Sequence, residues 1–133
     1  MMTQNEKDLL WQAACDARKN AYAPYSGFSV GAALLTEDGR IFVGCNVENS
    51  AYSPTLCAER VALGAAVAAG ARGFLAIAVV GGRGEVLADT PPCGVCRQML
   101  SEFSDGAMLV LFLENGIRTE CRLADLLPHS FRL

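Results

Sequence analysis

Cys57-Ala58-Glu59-Arg60 and Pro91-Pro92-Cys93-Gly94-Val95-Cys96-Arg97-Gln98 gather three thiols and a carboxylate into two short stretches of this chain. Zn²⁺ prefers thiolate ligands, and a catalytic zinc keeps three protein ligands and an open position for water. Cys93 and Cys96 stand at i and i+3, so on a helix both project from one face. Cys57 supplies the third ligand. Glu59, two residues on, is close enough to act on the water without ligating the metal. A closed structural site is the alternative, usually built from two Cys-x-x-Cys hooks or from two Cys and two His. Cys57 has no neighbouring cysteine to hook with, and the only histidine, His129, is far in sequence from both motifs. Three ligands beside a carboxylate suit an open, catalytic Zn²⁺, one per chain; a structural-zinc interaction module stays as the alternative.

For this to work, both stretches must open helices. Cys57 to Ala69 reads as a helix of small apolar residues in which only Glu59 and Arg60 are charged. A helix apolar all round belongs in an interior, where a charge is costly unless paired or functional. Gly70 suits its C-terminus. Cys93 to Phe103 reads as a second helix, opened by Pro91-Pro92. The ligands then lie at helix N-termini, whose positive dipole ends favour thiolate over thiol.

The remaining pattern supplies the frame. Phe28 to Leu35 and Ile41 to Asn46 are strand-like and joined through Asp38-Gly39, a hairpin pair. Phe74 to Val80 and Met108 to Leu113 are continuous apolar runs, the mark of strands covered on both faces. Ile117 to Arg122 follows an Asn115-Gly116 turn as a polar edge strand, and the tail after Leu123 is expected to hold a helical turn ending at Pro128. An amphipathic helix over Glu6 to Asn20 sets Leu10, Ala13, Ala14 and Ala17 on one face. Gly81-Gly82-Arg83-Gly84 lacks the Gly-Lys-Ser/Thr of a phosphate loop and reads as a turn. The order α-β-β-α-β-α-β-β predicts an α/β fold of three layers, α/β/α, around a mixed five-stranded sheet. One catalytic domain spans residues 1–133.

Composition narrows the partners. Hydrophobic residues make up 52% of the chain and charged ones 19%, an apolar excess that predicts a homo-oligomer. A net charge of -3 offers no footprint for a nucleic-acid backbone and points to a small free substrate. No apolar run reaches the ~18 residues of a membrane span. Met1 to Asp8 is polar, unlike a signal peptide, so a cytoplasmic location with reduced thiols is expected. Cys15, Cys45 and Cys121 are then small hydrophobes.

Cys57-x-Glu59 followed by Pro92-Cys93-x-x-Cys96 resembles the zinc-dependent nucleoside and nucleotide deaminases. Tyr25-Ser26-Gly27-Phe28-Ser29-Val30-Gly31-Ala32, Gly44-Cys45-Asn46-Val47-Glu48-Asn49 and Tyr52 extend the likeness to the small cytidine deaminases. The resemblance implies hydrolytic deamination of cytidine and deoxycytidine in pyrimidine salvage. Glu59 would carry a proton from water to ring N3 and then assist the departing amino group. It also implies that Asn46 and Glu48 hold ribose hydroxyls, chemistry open to an amide and a carboxylate. On the residues alone, an Asx turn beside a solvated Glu reads equally well. Phe28 matches an aromatic that packs on the pyrimidine, with a core Phe at a strand start as the plainer reading.

Ala58 would offer its backbone to the base, and Tyr52 joins the substrate side. The family is homotetrameric, with sites completed by neighbouring chains. Phe131, in Leu127-Pro128-His129-Ser130-Phe131, resembles the tail aromatic that reaches a neighbour's substrate. Arg60 matches the Arg that hydrogen-bonds the ligand sulfurs, and Arg97 adjoins the second motif. A deaminase of cytosine nucleoside antibiotics of the blasticidin S type shares the three-cysteine site and is the nearest rival. The complete Asn46-Val47-Glu48-Asn49 segment favours cytidine.

Overall fold

The computed structural model describes residues 1–133. Helix α1 (Gln4–Arg18) starts at Thr3, whose hydroxyl accepts from the Glu6 N–H while the Glu6 carboxylate accepts from the Thr3 N–H. This capping box sets the start two residues before the expected one. Strands β1 (Ser29–Thr36) and β2 (Ile41–Cys45) form the antiparallel hairpin, turning at Gly39 with φ 87°. Then come α2 (Ala58–Ala68), β3 (Phe74–Arg83), β4 (Val86–Ala88), α3 (Gly94–Ser101), β5 (Leu109–Glu114), β6 (Ile117–Arg122) and the one-turn α4 (Leu123–Leu126).

The strands form one mixed sheet ordered β2-β1-β3-β5-β6, with β4 paired to the end of β3. Only β3 and β5 run parallel. Alternate residues of the central strands feed two cores. Ala32, Leu34, Ile77, Val79 and Val110 pack with α2 and α3 through Ala62, Leu63 and Leu100. On the opposite face, Ala33, Leu35, Ala76, Ala78 and Val80 pack with Leu10 and Ala14 of α1. The expected three-layer α/β fold is the observed one. Cys15 and Cys121 pack against these cores, and all six cysteines are free.

Two expectations need correction. Gly81 to Arg83 is not a turn; it continues β3, the turn is confined to Gly84-Glu85, and Val86–Ala88 folds back as a sixth strand. A glycine pair reads as a turn only until a partner strand supplies its ladder. Nor is α2 buried all round: Ala58, Glu59, Ala62, Leu63 and Ala66 are buried, while Gly64, Ala65 and Ala68 are exposed on this chain. A sheet covers one side of a helix, however apolar the other is.

Two glycines set how closely the layers approach. A Cβ on Gly44 would lie 2.4 Å from the Ala58 carbonyl oxygen and 2.5 Å from the Ala62 nitrogen. A Cβ on Gly31 would lie 2.0 Å from the Ala14 carbonyl oxygen. Strand β2 therefore carries the first turn of α2 backbone against backbone, and β1 carries α1 in the same way.

Candidate metal centre and active site

Cys57 and Cys93 are the N-cap residues of α2 and α3, and neither side chain makes a capping hydrogen bond. Sulfur thus replaces the usual capping oxygen beside first-turn N–H groups, whose partial positive charge favours thiolate. Cys96 stands one turn into α3 and is fully buried; Cys57 is half-buried and Cys93 exposed. The three sulfurs lie within 4.8 Å of one another. Three ligands at ~2.3 Å from a tetrahedral zinc stand about 3.8 Å apart, so small side-chain adjustments suffice. The donor set fits: three soft thiolates converge, and His129 belongs to a separate concavity under the C-terminal tail.

Arg60 is the cation on this cluster. Its Nη2 donates to the Thr55 carbonyl at 3.0 Å and to Cys57 Sγ at 3.8 Å. Its Nε is the one buried side-chain nitrogen or oxygen without a partner, an unspent donor on the same guanidinium. Cys57 is drawn down to about 5, first by Cys96 donating its S–H and then, against burial, by Arg60. Cys96 is pushed up by the same shared bond and by burial. The first proton therefore leaves Cys57. Arg97 points away from the thiols and donates to the Pro92 carbonyl at 2.6 Å and the Leu126 carbonyl at 2.8 Å, bracing the segment before Cys93.

Glu59, in the first turn of α2, is only 5% exposed. Burial pushes its carboxyl above the ordinary range, and the negative charge of Cys57 adds to that push. With Val30, Asn46, Ala58, Thr90 and the Cys57 and Cys93 thiols it lines a cleft of about 200 Å³. A buried carboxyl of raised pKa beside an open thiol cluster is suited to take and give a proton within one reaction cycle.

The nucleoside-side residues are arranged less simply. Asn46 lines the cleft, and its amide ties down the start of β1: Oδ1 accepts from the Val30 N–H and Nδ2 donates to the Phe28 carbonyl, both at 2.8 Å. Glu48 Oε1 accepts from the Tyr25 N–H at 2.9 Å and the Ser26 N–H at 3.1 Å, while Oε2 accepts from the Ser26 hydroxyl. Those bonds, the hydroxyl's foremost, hold the carboxyl below its usual range. Phe28, Glu48, Tyr52 and Phe131 are not among the cleft's lining residues. Tyr52 is exposed and stands edge-on to Tyr25 at 6.5 Å. Phe131 is also exposed, and its carbonyl accepts from Gln98 Nε2 at 2.9 Å. Sequence reading gave no role to Val30, Thr55, Leu56, Thr90 or Pro91 in the cleft, although Val30 and Pro91 stand inside motifs it quoted; for Thr90 the one available signal was its place just before Pro91-Pro92-Cys93.

Comparison with known proteins agrees with this geometry. Residues 4–112 match the family model for the cytidine and deoxycytidylate deaminase zinc-binding region. A cytidine deaminase from Sporosarcina psychrophila is 53% identical over 117 residues, covering 86% of this chain and 83% of its own. One from Mycobacterium tuberculosis (strain H37Rv) is 47% identical over 126 residues, covering 95% and 90%. The 1.6 Å crystal structure of cytidine deaminase from Burkholderia pseudomallei matches with a TM-score of 0.85 at 47% identity, covering 98% of this chain and 100% of that one.

Proposed function

This chain belongs to the cytidine and deoxycytidylate deaminase family, and on that premise we propose that Glu59 is its proton carrier and that Phe28, Asn46, Glu48, Tyr52, Ala58 and Phe131 serve the nucleoside. It is a zinc-dependent hydrolase that converts cytidine to uridine and ammonia. The observation that carries the assignment of roles is a buried carboxylate, Glu59, sharing one cleft with converging thiols.

Cys57, Cys93 and Cys96 would hold the zinc, which when bound would supply the Lewis acidity that makes water nucleophilic. Glu59 takes the proton of that nucleophile and hands it to ring N3. With the water oxygen bonded to C4, Glu59 next moves the remaining hydroxyl proton to the C4 amino group; the C4–N bond breaks, C4 becomes a carbonyl and ammonia leaves. Its raised pKa suits a group that must accept and release one proton in each cycle. Three thiolates around a divalent ion leave about -1, and Arg60 offsets that charge through Cys57.

Ala58, at the mouth of α2, offers its backbone to the base, and Phe28 packs on the ring. The Asn46 amide keeps one N–H and one lone pair beyond its two backbone bonds. Glu48 uses three of roughly four acceptor sites on the Tyr25-Ser26 segment, which leaves one for a ribose hydroxyl. Deoxycytidine is the companion substrate.

A cytoplasmic homotetramer acting in pyrimidine salvage completes the reading, with Phe131 reaching a neighbouring site. Gly64, Ala65 and Ala68 on α2, with Val43, Val47, Leu56 and Tyr52, leave uncharged apolar surface open, which supports burial against other copies. No helix is long and apolar enough to cross a membrane. The decisive experiment follows cytidine absorbance beside zinc content and sedimentation. A fully zinc-loaded protein with Glu59→Gln that turns over cytidine at the parent rate would refute the assigned roles.

A further inference from the structure

We infer that Arg83 is a positioning residue for the reaction, bracing the Phe28 ring and the Ser26 carbonyl so that the ring is set beside the cleft before substrate arrives. The inference rests on the reading that Phe28 packs on the pyrimidine.

Arg83 ends β3, beside the Gly84-Glu85 turn. Its guanidinium carbon stands 5.6 Å from the centroid of the Phe28 ring, within the ~6 Å at which a cation is drawn to a π-face. Its Nη1 also donates to the Ser26 carbonyl. From the other side, Glu48 takes the Tyr25 and Ser26 N–H groups and the Ser26 hydroxyl. The Ser26 hydroxyl oxygen accepts in turn from the Phe28 N–H at 2.9 Å. An exposed segment with Gly27 at φ 68° is thus gripped between one acid and one base.

The base is itself held in place. Arg18 Nε donates to the Ser29 carbonyl at 2.9 Å and its Nη2 to the Gly84 carbonyl at 2.6 Å, so the start of β1 and the turn after Arg83 share one anchor. The Phe28 ring also packs next to a residue of the cleft. A Cβ on Gly81 would lie 2.8 Å from Phe28 Cε2 and 2.5 Å from Thr90 Oγ1, and Thr90 lines the cleft. Ring, glycine and threonine are therefore packed around one point.

An aromatic on an exposed segment loses rotamer freedom when a base stacks on it, and that cost weakens binding unless the ring is already fixed. Arg83 fixes it through a cation–π contact and a hydrogen bond, neither of which touches the reacting atoms. Its loss should raise KM and spare kcat.

The test measures kcat and KM for cytidine in Arg83→Met, Arg83→Lys, Phe28→Leu and the Phe28→Leu, Arg83→Met double variant, each at measured zinc content. Arg83→Met is expected to raise KM about three- to ten-fold with kcat within about twofold. Arg83→Lys, which keeps the cation over the ring, should recover most of the loss. In the Phe28→Leu background, Arg83→Met should add less than about twofold. Equal fold-changes in both backgrounds, or a fall in kcat at constant KM, would overturn the inference about Arg83 while leaving Phe28 in its role. A Phe28→Leu variant with parent KM would instead remove the reading of Phe28, and the inference with it. Arg83→Gln carries the same test should Arg83→Met fail to fold.

Discussion

Gly44→Ala offers a sharp test of how the metal centre is held. The added Cβ would sit 2.4 Å from the Ala58 carbonyl oxygen and 2.5 Å from the Ala62 nitrogen, with the Val61 Cβ at 2.9 Å. Ordinary contact begins at 3.4 Å, so the first turn of α2 must retreat by about 1 Å from β2. All these neighbours are backbone or the root of a β-branched side chain, and none can swing away. Overpacking of this kind costs about 1–3 kcal/mol, or a fall in Tm of roughly 3–12 °C for a chain of this size. Cys57 is the residue immediately before Ala58, so it moves with the helix while Cys93 and Cys96 stay on α3. Metal–ligand distances tolerate only about 0.2 Å, and zinc affinity should drop by at least about tenfold.

Gly31→Ala is the control. Its Cβ clashes with the Ala14 carbonyl oxygen at 2.0 Å and the Arg18 nitrogen at 2.5 Å, on the sheet face that carries α1 and no thiol ligand. It should lose comparable stability and keep zinc affinity. Thermal melts and competition with a chromophoric chelator read the two effects separately. Equal zinc affinities in the two variants, or a parent Tm in Gly44→Ala, would show that the β2–α2 contact does not set the position of Cys57.

Three further outcomes are expected. Glu59→Gln should bind zinc as the parent does and lose about 10²–10⁴-fold in kcat; a smaller loss in the loaded enzyme would leave proton transfer to another group. Cys93→Ser with Cys96→Ser should abolish zinc binding, whereas Cys15→Ser, Cys45→Ser and Cys121→Ser should retain it by elemental analysis; full metal in the double variant would contradict the ligand set. In chelator-stripped protein Cys57 should alkylate with a midpoint of about 5, set by the Cys96 S–H and by Arg60. Arg60→Gln should move that midpoint upward, since a lost cation destabilises thiolate. Because the folded value lies below the ordinary 9.0, the ionised thiol contributes stability above 9.0 and loses it as pH falls towards about 5. An unchanged midpoint in Arg60→Gln would assign the depression to the neighbouring thiols, Cys96 first and Cys93 after it.

Much of the site was legible because its chemistry is local. Cys57-x-Glu59 places a ligand and a carboxylate in one helical turn, and Cys93-x-x-Cys96 places two sulfurs on one helix face, whatever surrounds them. The 3.6-residue period of α1 and the unbroken apolar runs of β3 and β5 likewise report burial directly. Boundaries slipped where a side chain decided them, as at the Thr3–Glu6 capping box.

What only the tertiary structure decided is everything that joins segments distant in the chain. Gly31 and Gly44 looked like ordinary strand glycines until two helix backbones were laid on them. Gly81 to Arg83 reads as a turn by composition, yet pairing with β1 and β4 keeps it extended and brings Arg83 over Phe28. Arg60 and Arg97 stand equally close to their motifs, but only Arg60 meets a thiol, because helix rotation aims Arg97 at the Leu126 carbonyl. Spacing and period encode which groups share an element; strand register and helix placement, settled by packing the whole core, decide which elements meet.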